Sequence, residues 1–232
     1  MDKQYLNDNY DALIKDIKAT CEQTGRDFSE ITLVAVSKTF PAEDVVKVRE
    51  SGQIHFGENK VQELKSKFDI LGTENINWHL IGHLQTNKVK YVADFVYLIH
   101  SVDSLKLAEV IDEQAKKYNR IIDILIQVNT SSEDQKSGIE PSDAGGLCAG
   151  ISKLENVRIK GLMTIGMFTD DEDVIRDNFK TLKSVYDELK ADYPSFEYLS
   201  MGMTSDYKIA IEEGANMLRI GSAIFGYRNY SE

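Results

Sequence analysis

Cysteine is nearly absent from this chain. The 232 residues include two, Cys21 and Cys148, too few for a disulfide framework, which fits a reducing compartment. Neither lies in a Cys-x-x-Cys pair, so both read as structural rather than reactive. Proline is also scarce, with three residues, and no Pro/Ser-rich or low-complexity stretch marks a linker. The expectation is one domain over residues 1–232, with 1–27 as an N-terminal helical extension. No apolar run approaches the roughly 20 residues that cross a bilayer. The opening segment, from Met1-Asp2-Lys3-Gln4, is charged throughout and lacks the apolar stretch of a signal peptide, which points to the cytoplasm. Positive charge is outnumbered: 27 Lys and Arg stand against 38 Asp and Glu, a formal net charge of −11. Phosphates would be repelled, so a general nucleic-acid surface is excluded, although one local anion site is not. Disorder is excluded by a hydrophobic content of 42% with nine Phe.

What is present is a regular alternation of short apolar runs and longer amphipathic ones. Tyr5, Leu6, Tyr10, Leu13, Ile14 and Ile17 predict an opening helix over 4–24. Strands are predicted at 31–36, 54–56, 78–81, 95–99, 121–128, 157–163, 198–200 and 217–220. Each is followed by a predicted helix, at 41–52, 59–71, 85–93, 104–118, 141–153, 171–191, 205–213 and 222–226, with Pro41 placed in a first turn. Continuous apolar strands imply a sheet covered on both faces. Eight such units in about 200 residues fit a lean (β/α)8 barrel. An open doubly wound sheet also permits the alternation. It would usually carry a Gly-rich phosphate loop after its first strand, where this chain has Ser37-Lys38-Thr39.

A barrel places its active site at the carboxyl ends of its strands. Lys38 ends the first strand. Partial desolvation at a barrel mouth would make its amine nucleophilic toward carbonyls, and a solvated loop lysine is the plain alternative. Gly221 and Ser222 open a short helix after the last strand, where backbone N–H groups favour an anion, and Thr204 and Ser205 offer hydroxyls from the preceding loop. A turn glycine with a capping serine would look the same. A lysine opposite a phosphate pocket points to a phosphorylated carbonyl compound held as a Schiff base. Other features read more simply. His79 and His83 have zinc-like spacing, but Leu80 stands where a metalloprotease helix has Glu, so no metal is expected. Glu58 reads as a base or as a cap on the helix near Asn59. Lys136 reads as added positive potential at the mouth or as a solvated lysine. The acidic runs at 172–177 and 212–213 read as solvated helix faces, and Gly145-Gly146 as a loop feature.

The strand ends also carry a resemblance. Val34-Ala35-Val36-Ser37-Lys38-Thr39, Phe56-Gly57-Glu58-Asn59 and Trp78-His79-Leu80-Ile81-Gly82-His83-Leu84-Gln85-Thr86-Asn87-Lys88 are part of it. So are Lys136-Ser137-Gly138, Gly161-Leu162-Met163-Thr164, Leu199-Ser200-Met201-Gly202-Met203 and Arg219-Ile220-Gly221-Ser222-Ala223-Ile224-Phe225-Gly226. Together they resemble the pyridoxal phosphate homeostasis protein family, and with it the barrel domain of alanine racemase, a fold-type III pyridoxal-phosphate protein. The resemblance runs from about residue 31 to 226. It implies that Lys38 forms the Schiff base with pyridoxal 5′-phosphate and that Arg219 faces the pyridine nitrogen. It implies a phosphate cradle of Thr204, Ser205, Gly221 and Ser222, and a cofactor lining of Asn59, His79 and Met163. One departure stands at Gly202-Met203-Thr204, where the family usually has Ser in the third place. The change keeps a hydroxyl and leaves open which of Thr204 and Ser205 contacts the phosphate.

The same resemblance bears on catalysis. A racemase needs two opposed bases, and its relatives take the second, a tyrosine, from a separate β domain of a partner subunit. The chain is expected to lack that domain, and none of its 11 Tyr sits in a motif marking a second base. A cation beside the ring nitrogen keeps the ring a weak electron sink. The expectation is a monomeric, non-catalytic carrier that buffers pyridoxal 5′-phosphate and delivers it to apo pyridoxal-phosphate enzymes. A racemase-like pyridoxal-phosphate enzyme and a Schiff-base aldolase on a sugar phosphate stand as alternatives.

Overall fold

The computed structural model describes residues 3–131 and 137–226. Eight strands, all parallel, form a closed barrel in chain order: β1 (Thr32–Val36), β2 (His55–Glu58), β3 (Asn77–Leu80), β4 (Leu98–Val102), β5 (Ile122–Gln127), β6 (Val157–Met163), β7 (Tyr198–Ser200) and β8 (Met217–Ile220). Closure comes from β1 pairing with β8, Val34 opposite Arg219. The helices are α1 (Gln4–Thr24), α2 (Ala42–Glu50), α3 (Val61–Leu71), α4 (Leu105–Lys117), α5 (Ala144–Ile151), α6 (Glu172–Lys190), α7 (Tyr207–Glu212) and α8 (Ser222–Phe225).

Strand alternation divides the barrel into two cores. Leu33, Ala35, Phe56, Trp78, Leu80, Ile99, Ile124, Ile126, Leu199 and Leu218 pack outward among the helices. Val34, Leu98, Leu125, Met163, Tyr198 and Met217 fill the lumen. The period of two that buries one set also fixes the other. The helices meet the outer core with apolar stripes, as α6 does with Ile175, Phe179, Leu182 and Tyr186. Each such side chain contributes about 1.5–3 kcal/mol when fully buried. Helix α1 packs against α8, α2 and α7, burying Leu6, Tyr10, Leu13 and Ile17. It thereby covers the seam where the first and last strands meet. No described helix is long and apolar enough to cross a membrane.

The structure moves some predicted elements. Strand four lies at Leu98–Val102 rather than 95–99. Phe95 and Val96 are buried, but in a turn: Val96 N–H donates to Val92 O, and Phe95 stacks on Phe68 with ring centroids 3.8 Å apart. Their apolar character serves helix packing rather than the sheet. As a result His100 and Ser101 belong to β4 itself. The predicted helix at 85–93 is a 3-10 segment, Thr86–Tyr91. Strand β2 runs on through Gly57 and Glu58, so neither residue lies in the following loop. Pro41 stands one place earlier than expected, as the N-cap of α2.

Candidate functional site

The carboxyl ends of the strands form the mouth of the barrel. Lys38 follows β1 and is half-buried there. The next residue, Thr39, has φ +71°, a left-handed conformation that a β-branched residue adopts at a cost of about 1–3 kcal/mol. Buried bonds behind Lys38 hold this turn. The Ser37 hydroxyl donates to Glu58 Oε1 at 2.6 Å, and Ser37 N–H donates to Gly57 O at 3.1 Å. Lys67, on the buried stripe of α3, donates to Ser37 O at 2.7 Å and to Glu58 Oε1. Glu58 is fully buried, and burial pushes its carboxyl above the usual range while Lys67 and Ser37 pull it down. Its Oε2 has no hydrogen-bond partner among the described residues. Glu58 therefore braces the strand that carries Lys38. It is not a cap on α3, whose N-cap is Lys60.

Arg219 enters from β8 and is buried. Its Nη1 donates to Ser200 Oγ at 2.6 Å and its Nη2 to Thr164 O at 2.7 Å. Both acceptors are neutral, and burial pushes the guanidinium pKa down to about 10 against the pull of Asp206. Asp206, also buried, accepts Met203 N–H, and burial raises its pKa. The loop after β7 is bonded to β8 through Arg219 N–H and Gly202 O, at 3.0 Å. Thr204 in that loop is half-buried and Ser205 is exposed. Gly221 and Ser222 lie beyond β8, half-buried, and Ser222 begins α8. A Cβ at Gly221 would come within 3.1 Å of Val36 O, so the loop lies directly against the strand bearing Lys38.

The structure thus brings Lys38, Arg219, Thr204, Ser205, Gly221 and Ser222 to one end of the barrel. Asn59 is exposed just after β2, with the β3 loop pressed on its backbone: a Cβ at Gly82 would meet Asn59 O at 2.3 Å. Met163 is fully buried in the lumen at the end of β6. His79 is deeper, fully buried, with Nε2 at 2.9 Å from His55 Nδ1 and Nδ1 at 2.9 Å from His100 Nε2. Burial holds His79 and His100 well below the ordinary imidazole pKa. Exposed His83 lies apart from them, on the loop after β3. Among the described residues no group of three or more His, Cys, Asp or Glu is arranged to hold a metal. Lys136 lies outside the described residues. A surface depression lined by Arg49, Gly52, Ile54 and Glu74 lies before β2 and β3, at the opposite end.

Sequence reasoning missed the brace of Ser37, Glu58 and Lys67, and it missed the imidazole contacts of His55 and His100. The visible hint was Lys67, a charged residue three places after Leu64 on the apolar stripe of α3. For the imidazoles the hint was period two: His55 with Gly57, and Asn77 with His79, share the lumen face.

Comparison with known proteins bears on this arrangement. The alanine racemase N-terminal domain model matches residues 9–229. The chain is 41% identical over 219 residues to the pyridoxal phosphate homeostasis protein of Aquifex aeolicus (strain VF5), covering 94% of this chain and 96% of that one. It is similar to an unknown protein from Bifidobacterium adolescentis of solved structure, with a TM-score of 0.91 and 34% identity over 97% of each chain. PipY of Synechococcus elongatus PCC7942, solved with PLP bound, superposes with a TM-score of 0.79 at 33% identity, over 92% of this chain and 100% of that one.

Proposed function

The chain belongs to the pyridoxal phosphate homeostasis protein family, built on the alanine racemase N-terminal domain fold, and we propose on that premise that it holds pyridoxal 5′-phosphate and serves its homeostasis. The observation that carries this reading is Arg219: a buried cation on neutral partners, at the mouth that also holds Lys38 and Gly221. Such a cation suits a neutral acceptor such as an unprotonated ring nitrogen. When bound, pyridoxal 5′-phosphate supplies an aldehyde that an amine captures reversibly as a Schiff base. Lys38 provides that amine, and the brace behind it fixes the direction from which it reaches the mouth. Gly221 and Ser222, with Thr204 and Ser205, receive the phosphate through N–H and hydroxyl donors. Asn59, His79 and Met163 form the surrounding walls.

The protein acts as a single-domain, monomeric carrier in the cytoplasm rather than as an enzyme. A cation in place of an acid at the ring nitrogen weakens the electron sink that carbanion chemistry needs. Lys38 would hold the cofactor by a reversible bond, which an incoming amine could exchange, so transfer to an apo pyridoxal-phosphate enzyme would be chemically available.

The test begins with a visible spectrum of the loaded protein, before and after borohydride, with mass spectrometry to find the modified residue. Lys38 is expected to carry the label, and Lys38→Ala to remove both the band and the label. Labelling at Lys88 or Lys136 would overturn the assignment. Loaded protein is then mixed with an apo-enzyme, beside deuterium exchange on a panel of amino acids. Recovery of the apo-enzyme without exchange is the expected result. Rapid α-hydrogen exchange with turnover and no delivery would replace the carrier with a racemase-like enzyme.

A further inference from the structure

Three imidazoles and a serine link the far end of the barrel to Arg219. His55 opens β2 at the amino end and is half-buried. Its Nδ1 lies 2.9 Å from His79 Nε2, and His79 Nδ1 lies 2.9 Å from His100 Nε2. His100 Nδ1 lies 3.4 Å from Ser200 Oγ across the lumen, and Ser200 Oγ accepts Arg219 Nη1–H at 2.6 Å. The climb follows from the register. Gly57 is opposite His79, and Leu98 is opposite His79 one lumen-facing place below His100.

The protons on this chain have a direction. Arginine donates and cannot accept, so Ser200 Oγ is an acceptor toward Arg219. The serine's one hydrogen is then available to His100 Nδ1. With that hydrogen given to His100 Nδ1, a neutral His100 carries its proton on Nε2 and donates to His79 Nδ1. His79 by the same rule donates from Nε2 to His55 Nδ1, leaving the His55 proton on Nε2. Burial keeps His79 and His100 neutral, so each bond has one proton and the whole chain has one sense. Protonating His55 adds one proton and reverses that sense. His55 Nδ1 must then donate, His79 and His100 must each carry their single proton on Nδ1, and Ser200 must accept from both His100 and Arg219. The serine hydrogen turns elsewhere.

We propose that His55, His79, His100 and Ser200 are positioning residues that couple the protonation of His55, at the amino end of the barrel, to the setting of Arg219 at the cofactor mouth. The proposal rests on the function given above, in which Arg219 faces the cofactor ring. The groups facing His55 are His79 from β3 and Tyr97 before β4. The hydroxyl of Tyr198 on β7 engages Tyr97 and Glu197. Arg219 faces His100, and Asp206 faces Arg219. None of these removes the constraint that each imidazole bond holds one proton. Burial places the His55 titration on the acid side of the ordinary imidazole range. With His55 protonated, the N–H groups point toward Ser200 and raise the positive potential at Arg219. An acceptor ring nitrogen is then held more tightly.

The direct test is ring-nitrogen NMR of histidine-labelled, cofactor-free protein between pH 5 and 8. His79 and His100 are expected to exchange their protonated nitrogen with the same midpoint as the His55 titration, and to stop doing so in His55→Gln. Fixed tautomers in the unsubstituted protein would overturn the proposal. The second readout is release of pyridoxal 5′-phosphate from loaded protein. Release is expected to be about fivefold slower at the acid end, the lower bound of ordinary site-to-site coupling. That difference should be absent in both His55→Gln and Ser200→Ala, which keep only the background set by the Schiff base and the phosphate. Should His55→Gln fail to fold, Ser200→Ala carries this arm, since it cuts the chain without touching an imidazole. A pH profile of release that either substitution leaves unchanged overturns the coupling. A protein that takes up no cofactor sinks the function proposed above, while the tautomer measurement still decides the chain.

Discussion

Lys67 occupies a place on α3 where its neighbours Val61 and Leu64 are apolar. Its ammonium neutralises Glu58 and anchors the carbonyl of Ser37, next to Lys38. Removing one member of a buried pair leaves the other uncompensated. Lys67→Met is therefore expected to destabilise the protein by about 3 kcal/mol, measured by urea unfolding. Adding Glu58→Gln should restore part of the loss, because the stranded carboxylate is gone. Ser222 and Thr204 are proposed to contribute to affinity instead. Ser222→Ala and Thr204→Ala are each expected to weaken pyridoxal 5′-phosphate binding by about 1–3 kcal/mol, the range for hydrogen bonds to a charged group. Titrating each variant with pyridoxal, which lacks the phosphate, is the control. Equal losses for both ligands would remove these residues from the phosphate.

Among the elements, α1 is the one that (β/α)8 alternation does not require. Asp16 ties it to α7 by accepting from the Tyr207 hydroxyl and from Lys208. Lys208 foremost, then Tyr207, holds the Asp16 carboxyl below the usual range. A lowered carboxylate stabilises the fold above its unfolded pKa, and the contribution fades as pH falls through the folded value. The Asp16 side chain is 42% exposed, so solvent screening keeps the effect small. Asp16→Asn is expected to cost about 0.5–1 kcal/mol at pH 7 and nothing once the medium is acid enough to protonate Asp16. Denaturant melts at the two pH values check it. Elements such as α1 and β8 were legible because their apolar patterns end at glycine, Gly25 and Gly221. Strand β4 was not, because Phe95 and Val96 are as apolar as a strand yet belong to a turn. Lys38 and Gly221 were legible as mouth residues because each stands within two residues of a strand end. The imidazole chain was not: Ser200 and His100 are 100 residues apart, and only the closed lumen brings them together.

At the scale of the whole molecule, the proposed cofactor bridges the closure of the barrel. Lys38 lies just past β1, and Arg219 and Gly221 lie on and just past β8, and these two strands are the pair that closes the cylinder. A ligand that binds the closed form alone stabilises it by mass action, about 2.7 kcal/mol at a hundredfold excess over Kd. For a domain of this size each kcal/mol raises Tm by roughly 2–4 °C. Loading should therefore raise Tm by several degrees, followed by calorimetry, and Lys38→Ala should shrink the rise. The seam also sets an order in time. Ribosomes add roughly 5–20 residues per second, so the Lys38 amine would leave the ribosome about 10–35 s before the strand that would complete its pocket. A nascent chain without β8 would lack that pocket. Capture in the proposed pocket would wait for β8 to be made.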